Sequence, residues 1–185
     1  VAAGDNAAIE RAANQAHDQN MTLSQGALMA LNHCDHPARA IALQAFHDRW
    51  QDSPLVMEKW FMMESMSLVS GTVARLGELM AHPAFDANNP NKLRSVLGAF
   101  ITGNPVHFYA DDGSGFDFIG DCLIDIDARN PQLAARMVLP LTRMAQYAPE
   151  RRAKMGAVLQ KIQKQAQSND LREVIDKALA DSPSP

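Results

Sequence analysis

Five of the ten prolines set the framework of this chain of 185 residues. Pro37, Pro54, Pro90, Pro131 and Pro149 each stand at the head of an amphipathic run. Proline has no backbone N–H to donate, so it suits the first turn of a helix and disrupts a helix further in. From Pro37 to Pro54, and from Pro131 to Pro149, the interval fits one helix and its turn. From Pro54 to Pro90, and from Pro90 to Pro131, it fits a helical hairpin with its loops. Stacked helix pairs of this size build an α-superhelix or solenoid of the armadillo, HEAT or tetratricopeptide kind. The repeats share length rather than sequence, and a compact helical bundle is the competing architecture.

The rest of the chain agrees with an all-α fold. Alternating apolar and polar residues are absent, and Ala, Leu, Met and Gln prevail over Val, Ile, Thr and Tyr. The pattern predicts helices over roughly 5–18, 22–33, 37–51, 54–67, 70–81, 90–102, 114–129, 131–147, 149–166 and 170–180. A single helical-repeat domain is expected over 1–181, with Ser182-Pro183-Ser184-Pro185 as a disordered tail. Val1 opens into helix-like sequence with neither an initiating Met nor a signal peptide, so the chain reads as a piece of something longer.

Composition narrows the function classes. Hydrophobic residues make up 46% and charged residues 21%, as in an ordinary soluble protein. A net charge of −4 argues against nucleic acid as the partner. No apolar run reaches the roughly 18 residues that would cross a bilayer, so no membrane partner is expected. Cys34 and Cys122 do not demand a disulfide, and the cytoplasm is the expected compartment.

Candidates for chemistry are few. His33-Cys34-Asp35-His36 is dense in metal-capable residues, but no second Cys/His pair follows. It is expected to close one helix and open the next. Ser114 reads as a capping-box start rather than a nucleophile, because no Gly-x-Ser-x-Gly elbow surrounds it. Asp121, Asp125 and Asp127 are assigned to the polar face of one helix. Met57 to Met66 could line an adaptable groove, but core packing is preferred at that helical spacing. Arg129, Arg136 and Arg143 recur every seven residues, and Pro140 should kink their helix and orphan the Arg136 carbonyl. In the stripe Leu93, Val96, Leu97, Phe100 and Ile101, Arg94 sits at the border beside Gly98. From pattern alone it snorkels to water, pairs with a carboxylate or faces a cavity.

Several separated blocks carry more information together. They are Asn88-Asn-Pro-Asn-Lys-Leu-Arg-Ser-Val-Leu-Gly-Ala-Phe100, Gly103-Asn104-Pro105 and Asp111-Asp-Gly-Ser-Gly-Phe116. Leu55-Val-Met-Glu-Lys-Trp-Phe61, Arg129-Asn-Pro-Gln132 and Ala135-Arg136 complete the set. In this order, over about residues 20–180, they resemble the C-terminal helical domain of the aminopeptidase N family of zinc-dependent exopeptidases. The resemblance implies an α-superhelix that closes over a catalytic domain and shapes a peptide-binding chamber. It implies that Arg94 and Arg136 occupy chamber-facing positions and bind substrate. It places zinc in the parent's catalytic domain, at an H-E-x-x-H motif with a downstream Glu. That motif is absent from this sequence, so no catalytic residue, metal ligand or cofactor is expected here. The implied partners are the catalytic domain of the same polypeptide and a peptide substrate. The alternative is a free-standing helical scaffold that binds a protein.

Overall fold

The computed structural model describes residues 4–181, and every regular element among them is helical. Two compact units are formed. The first holds the described residues up to Asp86 together with Asn91–Asn104, and the second holds Ala87–Pro90 and the described residues from Pro105 on. Residues 182–185, expected to fray, lie outside the described residues.

The first unit contains α1 (Asn6–Gln15), α2 (Met21–Leu31), α3 (Pro37–Trp50), α4 (Pro54–Ser65) and α5 (Thr72–Met80). It also contains most of α6 (Pro90–Leu93), a π turn over Arg94–Gly98, and α7 (Ala99–Gly103). The second contains α8 (Pro105–Phe108), α9 (Ser114–Asp127), α10 (Pro131–Met137), α11 (Leu139–Thr142), a 3-10 turn (Met144–Gln146), α12 (Pro149–Gln165) and α13 (Asn169–Ala180). All five framework prolines open helices, as expected. Side-chain caps assist elsewhere. Asp5, Asn20 and Ser168 accept the first free N–H groups of α1, α2 and α13, each cap stabilising its helix by about 1 kcal/mol.

Two helix ends differ from the sequence reading. The helix expected over 131–147 breaks at Val138, because Pro140 offers no N–H to the turn behind it. The Val138 N–H donates to the Ala134 carbonyl at 3.0 Å, the last bond of α10. Arg129, Arg136 and Arg143 therefore do not run down one helix. Arg129 lies between α9 and α10, paired with Asp125, and Arg143 follows α11. At α9, Ser114 is not the cap. Its N–H and hydroxyl both donate to the Asp112 carboxylate, at 2.9 and 2.8 Å. Gly113, at φ 83°, makes the left-handed entry that a side chain would strain.

The first unit buries Leu28, Leu31, Phe46, Met57, Phe61, Leu76, Leu97 and Phe100, each 3% exposed or less. Its buried polar groups are answered. Asn32 Nδ2 donates to the Met63 carbonyl at 2.6 Å, and Asn104 Nδ2 donates to the Ser67 carbonyl at 2.6 Å. The turn between α4 and α5 is thereby fixed. In the second unit α9 packs on α10 and α12, and α12 on α13. Asp127, expected on a polar face, is instead 1% exposed. Its carboxylate accepts from the Gln167 and Ser168 N–H groups at 2.7 and 3.0 Å, and from the Ser168 hydroxyl, at the start of α13. Gly115 lets α9 approach α8, since a Cβ there would stand 2.3 Å from the His107 carbonyl oxygen.

Candidate functional site

α4 presents two chemically different sides. Met57, Trp60, Phe61, Met63 and Glu64 are buried. Leu55 and Met62 are 73% and 38% exposed, and with Met66 they form the apolar wall of an open groove of about 870 Å³. The opposite wall is the segment from α6 through the π turn to α7, including Arg94, Gly98 and Ala99. The methionine-rich stretch therefore divides. Met57 and Met63 are core, as expected, whereas Met62 and Met66 face the groove.

The second wall is anchored from beneath. Leu93, Val96, Leu97, Phe100 and Ile101 are all buried, which is the stripe read from the sequence. Lys92 is buried too, with Nζ donating to the Pro54 carbonyl at 3.1 Å and lying 5.3 Å from the Phe61 ring centroid. Arg94 begins the π turn, closed by the Ala99 N–H reaching back to the Arg94 carbonyl. Such a turn carries one extra residue and is frequent at functional sites. The stem of Arg94 lies beside Gly98, where an added Cβ would sit 3.6 Å from Arg94 Cβ. The exposed Arg94 guanidinium donates to the Asn91 side-chain oxygen at 3.0 Å. Among the described residues no carboxylate pairs with it.

Two other arginines of this unit, Arg39 and Arg75, are neutralised. Glu64, 6% exposed, accepts from Arg39 and from Arg75, both at 3.0 Å. Arg75 also pairs with Glu78 at 2.7 Å and lies 5.7 Å from the Trp60 ring. Arg39 Nε further donates to the Asn32 carbonyl at 3.1 Å. This cluster ties α3, α4 and α5 together, and the sequence reading missed it. Beside it, His47 Nε2 and His82 Nε2 are 3.1 Å apart. The Ala84 N–H donates to His82 Nδ1 at 3.1 Å, and His47 Nδ1 lies 2.9 Å from Asp48 Oδ1. These contacts assign one tautomer pair, His82 donating through Nε2 and His47 through Nδ1. Burial holds the His82 pKa below its usual value, and His47, Arg75 and Lys92 add to the effect.

Arg136 lies on α10 in the second unit, exposed and without an ion pair among the described residues. The two arginines singled out from the sequence thus belong to different units. The basic run on α12 is engaged within the chain. Arg151 pairs with Asp111 at 2.6 Å, and Lys161 pairs with Asp121. Burial pushes the Cys122 thiol up to about 12, helped by Asp121 and Asp125, which keeps it from acting as a thiolate.

His33 to His36 forms the turn between α2 and α3, with His36 Nδ1 accepting the Ala38 N–H at 3.1 Å. Among the described residues no group of three or more His, Cys, Asp or Glu side chains could hold a metal ion. No described helix is long and apolar enough to cross a membrane.

Helix after helix with Pro-capped starts and an apolar groove defines the class, an all-α helical repeat protein. Residues 1–180 match the model of a domain of unknown function with ARM repeats (DUF3458_C), and the chain belongs to that family. It is 40% identical over 162 residues to Aminopeptidase N of Escherichia coli (strain K12), covering 87% of this chain and 19% of that protein. It is 37% identical over 161 residues to Aminopeptidase N of Haemophilus influenzae (strain ATCC 51907 / DSM 11121 / KW20 / Rd), covering 86% and 18%. A solved structure of Legionella pneumophila aminopeptidase A in complex with aspartic acid is 31% identical, with a TM-score of 0.88. That match covers 93% of this chain and 20% of the other. The chain spans about a fifth of the length of the curated relatives it matches. The fold expectation and the family resemblance are both borne out.

Proposed function

We propose that this chain is the non-catalytic helical part of a zinc-dependent aminopeptidase, one that packs against the catalytic domain of the same polypeptide and shapes its peptide chamber. The observation that carries this reading is similarity along nearly the whole chain to a fifth of several aminopeptidases. The remaining four fifths would supply zinc and the reacting groups. The chain's own contribution is shape and charge. Arg94 and Arg136 hold the carboxylate or carbonyls of the bound peptide. Both are exposed cations without a neutralising carboxylate among the described residues, which supports that role.

The full-length polypeptide is expected to release amino-terminal residues from peptides, and the chain alone to release none. Absence of peptide hydrolysis by the zinc-loaded full-length polypeptide would overturn the proposal in favour of a free-standing scaffold. Within the full-length polypeptide, Arg94→Ala and Arg136→Ala should each lower kcat/KM for a tripeptide by roughly 10- to 150-fold, the worth of one charge-assisted hydrogen bond. A small chromogenic amide without a distal carboxylate should lose little. Equal losses on both substrates would leave these arginines with a structural role.

A further inference from the structure

The apolar groove beside Arg94 raises a question of occupancy, and its walls are chemically specific. Leu55 and Met62 are exposed although large and apolar. A surface of that kind is stabilised when something apolar covers it. Arg94 and Lys59 stand on its rim with Glu58 as the opposing charge, so the rim carries an excess cation. Gly98 lies in the same wall as Arg94. It is helical, at φ −61°, and so is not glycine for the sake of its backbone. An added Cβ would meet nothing but the Arg94 stem, at 3.6 and 3.9 Å. The effect of the missing side chain is therefore space beside the stem of Arg94, whose guanidinium donates to the neutral side chain of Asn91.

We infer that this groove is a side-chain subsite for the carboxy-terminal residue of a bound peptide. It takes a bulky apolar side chain against Met62 and Met66 while the carboxylate rests on Arg94. Gly98 is its specificity-determining residue. Charge complementarity commits the occupant to an apolar group bearing a carboxylate rather than to an apolar surface alone. Two flexible thioethers accommodate leucine-, methionine- and phenylalanine-sized groups alike, so the subsite selects for apolar bulk rather than one residue. This inference rests on the reading of Arg94 as a carboxylate ligand.

The test uses the full-length polypeptide with Ala-Ala-Leu and Ala-Ala-Gly, each as free acid and as C-terminal amide. The wild type should favour Leu over Gly by about 10-fold in kcat/KM, the value of half-burying an isobutyl group. Gly98→Val fills the groove and should bring the Leu/Gly ratio close to one while leaving the acid/amide ratio unchanged. Arg94→Ala should do the reverse. Gly98→Ala, which adds only the tolerated Cβ, should give an intermediate Leu/Gly ratio and an unfolding midpoint no lower than wild type. A Leu/Gly ratio untouched by Gly98→Val overturns the inference. So does an equal loss on all four peptides with a lowered midpoint, which would make the groove a packing surface for the rest of the polypeptide. If Gly98→Val abolishes the Leu preference but Arg94→Ala leaves the acid/amide ratio intact, the groove stands and the carboxylate role of Arg94 fails.

Discussion

The two sides of α4 face arginines in opposite circumstances. On the inner side, Arg39 and Arg75 converge on Glu64, which is nearly inaccessible to water. On the outer side, Arg94 stands at an open groove and donates to an amide oxygen. The guanidinium is the same, but the partner differs. A cation whose charge is spent on a buried carboxylate fixes helices to one another, because removing either member strands the other in a poor solvent for ions. A cation at a wet rim contributes little to stability and keeps its charge for a ligand. If Arg94 holds the peptide as proposed, structure and recognition are separated across the width of one helix.

Breaking that comparison starts with the largest effect. Glu64→Ala should destabilise the fold by about 3 kcal/mol, since Arg39 would lose its carboxylate and Arg75 would keep only the exposed Glu78. Urea unfolding monitored by far-UV circular dichroism reads this directly. Arg39→Ala should cost less, about 2 kcal/mol, because Arg75 still reaches Glu64. Arg94→Ala should change stability by about 0.5 kcal/mol or less, as expected for an exposed residue. A loss at Arg94 as large as that at Arg39 would erase the distinction.

Much of this was legible in the sequence, for reasons that the residues make plain. Helix starts at Pro37, Pro54, Pro90, Pro131 and Pro149 are local effects of a missing N–H. The buried stripe from Leu93 to Ile101 is local periodicity, and the helix end at His33 to His36 is local chemistry. What escaped involves partners far apart in the chain. Glu64 meets an arginine 25 residues away and another 11 away, and Asp127 caps a helix that begins some 40 residues later. No window of sequence contains such pairs. The π turn at Arg94 escaped because one extra residue per turn leaves the apolar stripe intact. The division of the methionines escaped because spacing says which residues share a face, not whether that face finds a neighbour. Arg94 itself was singled out from its place beside Gly98 and from the family resemblance, whereas the groove it borders was not foreseen.

A smaller effect sharpens the inner side of the comparison. His47 and His82 share one hydrogen bond, and their outer nitrogens are already committed to Asp48 and the Ala84 N–H. A proton added to either ring breaks one of these contacts. Because the His82 pKa is lowered in the folded state, the unfolded chain binds more protons in the window below the usual histidine value of about 6.5. Stability should therefore be complete above that value and decline as pH falls through the depressed one. His82→Phe should flatten this part of the profile, measured as unfolding free energy between about pH 7.5 and 5. A slope unchanged by the substitution would remove the histidine pair from the account.

The most direct test of the contrast is the ratio of kcat/KM for a tripeptide acid to that for its C-terminal amide, determined for Arg94→Ala in the full-length polypeptide whose unfolding midpoint has been recorded. The account predicts a fall in that ratio of about 10-fold or more with the midpoint unmoved. A lowered midpoint together with an unchanged ratio would contradict it, and would place Arg94 with Arg39 and Arg75 as a residue that holds the fold together.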